Sequence, residues 1–115
     1  MILKSDAKNV AEFVCRIARV NGAEIADTYC FDGTNEYPDS FSMYFVLKYG
    51  LAVKKIRISN HTKQHKDVAW QKDIKSLTVS DKTSFKDIEK FITNRIGEIK
   101  RGALYAAFDY IKTCA

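Results

Sequence analysis

The stretch Phe41-Ser42-Met43-Tyr44-Phe45-Val46-Leu47-Lys48-Tyr49-Gly50, followed by Val53-Lys54-Lys55-Ile56-Arg57-Ile58-Ser59, decides the fold of this chain. Phe41, Met43, Phe45 and Leu47 alternate with Ser42, Tyr44, Val46 and Lys48, the period-two pattern of a half-buried strand. Tyr49-Gly50 supplies a turn. In the return strand Ile56 and Ile58 face inward and Lys55 and Arg57 face outward, which makes an antiparallel hairpin.

The flanks are helical. Ser5 or Asp6 caps a first helix to about Val20, with Val10, Phe13, Val14 and Ile17 spaced as one apolar stripe. Asn21-Gly22 ends it in a left-handed cap. Thr83-Ser84 opens a last helix to about Lys112, with Ser84 and Asp87 placed as a capping box. Phe85, Ile88, Ile92, Ile96 and Ile99 form its buried stripe, and Leu104, Ala107, Phe108 and Ile111 continue a similar face. Gly97 and Gly102 weaken its middle. Between these elements, 25–31 is a weakly alternating strand and 32–39 a loop. Residues 60–66 are polar and irregular, and 67–79 hold one or two short strands. The expected fold is a single α+β domain over 1–115. It has an N-terminal helix, a small antiparallel sheet of three to five strands and a long C-terminal helix, with both helices on one sheet face.

Composition narrows the class. The chain has 115 residues, 46% hydrophobic and 29% charged, ordinary for one globular domain. No apolar run approaches the roughly 18 residues of a membrane span. Met1-Ile2-Leu3 is too short an apolar start for a signal peptide. Cys15, Cys30 and Cys114 are odd in number and unclustered, which suits free thiols in a reducing compartment. These features predict a cytoplasmic protein without membrane contact and leave the oligomeric state open.

The net charge of +5 is unevenly spread. Residues 1–44 carry four basic and seven acidic side chains, or −3, and residues 45–115 carry fifteen and seven, or +8. Lys54, Lys55 and Arg57 cluster on the second strand of the hairpin. Lys63, His65 and Lys66 follow, and Tyr44, Tyr49 and Trp70 are interleaved. Lysine and arginine neutralise phosphate and aromatic rings stack on bases. The same charges would equally serve an acidic protein surface or a solvated sheet face kept from edge pairing.

Catalytic and metal constellations are weaker. His61 and His65 stand four apart, with Asp67 as a third candidate ligand, but Thr62 stands where a zincin glutamate would follow. Cys15 belongs beside the first helical stripe, and Cys30 lies among acidic residues, the wrong setting for a thiolate nucleophile with His61 as base. Asp32, Glu36 and Asp39 lack the spacing of a calcium loop. The expectation is no catalytic group, no metal and no cofactor.

Ser40-x-Ser42-x-Tyr44, the turn, and then Arg57-Ile58-Ser59-Asn60-His61 resemble a pattern S-x-S-x-Y…R-[IV]-S-[DN]-H of small phage and mobile-element proteins, with Asn60 in place of the more usual aspartate. The resemblance covers about residues 40–61. It implies a phage-type origin, and proteins of that setting include inhibitors of host defence such as anti-CRISPR proteins. The leading expectation is a non-enzymatic binding protein in the host bacterial cytoplasm. It would occupy a host protein or ribonucleoprotein complex through a basic sheet face of Lys54, Lys55, Arg57, Lys63 and Lys66, with Tyr44 as anchor. Direct nucleic-acid binding by that face is the second expectation. A small metal-dependent or histidine-assisted enzyme at Ser59, Asn60 and His61 is the third.

Overall fold

A computed structural model describes residues 6–32, 39–61 and 74–114, with side chains described at 6–30, 39–61 and 74–104. The elements are α1 (Ala7–Val20), β1 (Glu24–Asp32), β2 (Phe41–Tyr49), β3 (Ala52–Ser59), β4 (Ile74–Thr78) and α2 (Phe85–Cys114). The α+β class and the placement of both helices on the sheet agree with the sequence.

The sheet order is β1-β2-β3-β4. β1–β2 and β2–β3 are antiparallel, but β3–β4 is parallel, with Ile56 beside Lys75 and Ile58 beside Leu77. The sheet is therefore mixed, not purely antiparallel. A parallel neighbour needs a crossover of about a dozen residues or more, and 60–73 is long enough to supply one. In β1 the register slips between Ile25 and Asp27, the mark of a bulge.

Local chemistry sets the helix ends. α1 closes in a Schellman motif, with Gly22 N–H on the Arg19 carbonyl at 3.0 Å and Ala23 N–H on the Ala18 carbonyl at 2.9 Å. Gly22 stands at φ +78°, where a side chain would be strained. α2 starts in the expected capping box. Asp87 N–H donates to Ser84 Oγ at 3.1 Å, and Ser84 N–H donates to Asp87 Oδ2 at 3.0 Å. That backbone bond from Ser84 holds the Asp87 carboxyl below its ordinary range.

One core joins the layers. Met43, Phe45, Leu47, Ile56 and Ile58 from one sheet face meet Val10, Val14 and Ala18 of α1 and Ile88, Ile92, Ile96 and Ile99 of α2. Phe13 and Ile17 are only half-buried, so the α1 stripe is rotated toward Ala7 and Ala18. Phe13 instead meets the Phe85 ring edge-on at 4.9 Å, tying the helices together. No helix among the described residues is long and apolar enough to cross a membrane.

Candidate functional site

Directly opposed residues of an antiparallel pair share a sheet face. Phe45 opposes Ile56 on the helix side, so Ser42 with Ser59, Tyr44 with Arg57, and Val46 with Lys55 lie on the other face. One end of that face is a buried polar cluster. Arg57 is 0% exposed and Tyr44 is 4% exposed, and Ser42, Ser59 and Asn60 are buried with them.

The cluster is organised by hydrogen bonds. Arg57 Nη2 donates to Ser42 Oγ at 3.2 Å. The same oxygen lies 3.0 Å from His61 Nε2. Ser59 Oγ donates to the His61 carbonyl at 2.7 Å. Asn60 uses both ends of its amide: Oδ1 accepts from Phe41 N–H at 2.9 Å, and Nδ2 donates to the Asp39 carbonyl at 2.7 Å. A carboxylate could make the first bond but not the second, because it has no proton to donate. The Asp39 carbonyl that it faces accounts for asparagine rather than aspartate at this position.

This geometry corrects the expected docking face. Arg57 and Tyr44 lie inside the protein, so neither presents a side chain to a partner. Lys54 and Lys55 are adjacent on β3 and point to opposite faces. Lys54 opposes Leu47 on the helix side and is half-buried, while Lys55 opposes Val46 and is exposed. Ser40 is half-buried. Lys63, His65, Lys66, Asp67, Trp70 and Glu36 lie outside the described residues.

Ser42 Oγ and His61 Nε2 stand at the separation of a nucleophile and its base. Ser42 is nevertheless buried, so a substrate does not reach its oxygen in this arrangement. Ser59 and Asn60 are engaged with backbone groups. Ser59 fastens the turn at His61, and Asn60 joins the β2 entrance to the β3 exit. Among the described residues, no three His, Cys, Asp or Glu side chains lie together as metal ligands. Cys15 is half-buried on the wall of an open groove between α1 and β1, and Cys30 is exposed.

The other end of the same face is open. Lys48 and Lys55 are exposed diagonal neighbours across β2–β3, with exposed Val53 directly opposite Lys48, and farther along the face Tyr29 is exposed on β1 beside Tyr44. Lys48, Val53 and Tyr29 escaped the sequence reading. Strand register would have found the first two, since Lys48 opposes Val53. Asp27 lies on this face too, and a hydrogen bond from Tyr29 to its carboxylate raises the phenol above its ordinary range. No family model, curated protein or solved structure matches the chain.

Proposed function

We propose that the chain is a non-enzymatic binding protein of the kind phages and mobile elements encode, acting on a host nucleic-acid-handling complex in the bacterial cytoplasm. The observation that carries this reading is the open half of the sheet face, where Lys48 and Lys55 accompany exposed Val53. Cations around an apolar contact suit a protein surface with acidic patches. Asp27, hydrogen-bonded by Tyr29, sets a negative charge beside the exposed ring, which disfavours a phosphate backbone there. That weighs for a protein partner over direct nucleic-acid binding.

The test is co-purification from a defence-competent bacterium, comparing wild type with Lys48→Glu/Lys55→Glu. Both lysines are exposed, so folding should change by no more than about 0.5 kcal/mol per site. The expected result is a partner retained by wild type and lost by the variant. Identical partner lists would refute the assignment. Binding of plain DNA or RNA that weakens steeply with salt would move it to the nucleic-acid reading.

A further inference from the structure

A second surface lies at the end of the molecule that carries the β2–β3 turn. Three elements converge there. Gly22, just past α1, approaches the Tyr49 ring, where a Cβ would sit 3.8 Å from Tyr49 Cε2. Gly50 faces Ala103 and Gly102 faces Ala52, so α2 passes directly beside the turn. Lys100 Nζ lies 5.3 Å above the Tyr49 ring. At this end Val20 is 79% exposed, Leu51 79% and Leu104 58%. Three exposed aliphatic side chains, from the end of α1, the β2–β3 turn and α2, thus stand where these parts of the chain converge.

Among the described side chains the surrounding charge is positive. Arg101 is exposed and Lys100 is half-buried. Of the nearby acids, Glu24 stands opposite Lys48 in register, and Glu98 is occupied by Arg95 at 2.7 Å and Lys75 at 3.2 Å. α2 continues from Gly102 to Cys114, about 18 Å at 1.5 Å per residue, beyond the point where it meets the turn. The patch therefore occupies an inner corner between the sheet end and the projecting helix.

We infer that this corner docks an acidic amphipathic helix of a partner protein. Its apolar stripe would cover Val20, Leu51 and Leu104, and its carboxylates would meet Lys100 and Arg101. A second copy of this chain in a two-fold arrangement would bring the same basic side chains face to face. A bilayer presents a broad surface, whereas the corner admits a rod. The inference uses a different set of side chains from the Lys48 and Lys55 sheet face, and it stands or falls separately.

The experiment is an NMR titration of the full chain. The probe is a synthetic peptide of about five helical turns, with leucines at i, i+3, i+4 and i+7 and glutamates on the opposite face. Amide shifts are expected to cluster at Val20, Tyr49 to Leu51 and Lys100 to Leu104. Leu51→Asp with Leu104→Asp, at two exposed sites, should keep the native spectrum elsewhere and weaken binding about tenfold or more. Lys48→Glu/Lys55→Glu should leave most of the peptide affinity. The inference is overturned by no saturable binding at roughly millimolar peptide, by equal binding of a scrambled peptide, or by unchanged affinity in the leucine double variant. Shifts of these residues with phosphatidylserine-containing vesicles but not with peptide would overturn it in favour of a lipid surface. Concentration-dependent shifts of the chain alone would overturn it in favour of self-association.

Discussion

The side-chain carbonyl of Asn60 accepts the backbone N–H of Phe41 at 2.9 Å, fastening the exit of β3 to the entrance of β2. The other end of the amide donates to Asp39, so one buried side chain satisfies two backbone groups that the ladder leaves over.

Asn60→Asp is therefore expected to destabilise the protein by about 1–3 kcal/mol at neutral pH, the cost of leaving a buried polar group unmatched. A protonated acid can donate to the Asp39 carbonyl where a carboxylate cannot. The deficit relative to wild type should shrink on acidification. Urea unfolding of both proteins across a pH series measures it, and a deficit independent of pH would contradict the assigned bond.

Arg57 and Lys55 sit two positions apart on one face of β3 and should respond oppositely to charge reversal. Lys55→Glu changes an exposed side chain and should stay within about 0.5 kcal/mol. Arg57→Glu removes a buried donor to Ser42 and buries a new negative charge, an expected loss of at least about 3 kcal/mol. Thermal melts of the two variants decide this, and equal stability would show that Arg57 is not buried.

Ile92 is fully buried between α2 and the sheet. Ile92→Ala should cost about 2–5 kcal/mol through lost burial and the cavity left behind. A loss within error of zero, read by urea unfolding, would show that α2 does not pack on this core.

Glu98 links α2 to β4. The hydrogen bond from Arg95 holds its carboxyl below the ordinary range, with Lys75 adding to the effect. A depressed folded-state value means the contribution is present above the unfolded glutamate value, about pH 4.3, and lost as pH falls through the folded value. Glu98→Gln should be less stable than wild type at neutral pH by no more than about 1 kcal/mol, since the side chain is partly exposed. The two stability curves should converge in acid. A gap that persists unchanged at low pH would count against the ion pair.

Much of this molecule was legible from residues near one another in the chain. The hairpin turned on alternation from Phe41 to Leu47, α1 ended at Asn21-Gly22, and α2 began at the Ser84–Asp87 box. Each depends on contacts within a few positions, so spacing and residue type suffice. The pattern around Ser42, Tyr44, Arg57 and Ser59 was also visible as a group, because hairpin register pairs those positions. What alternation cannot state is which of two sheet faces meets water. It placed Arg57 outward by its charge and Tyr44 as an anchor by its type, and both are buried. Neither the burial on the face away from the helices nor the parallel alignment of β4 is a property of alternation within one hairpin. Nor is the exposed corner at Val20, Leu51 and Leu104. Those three residues lie 31 and 53 positions apart along the chain, and only the packing of α1, the hairpin and α2 brings them to one end.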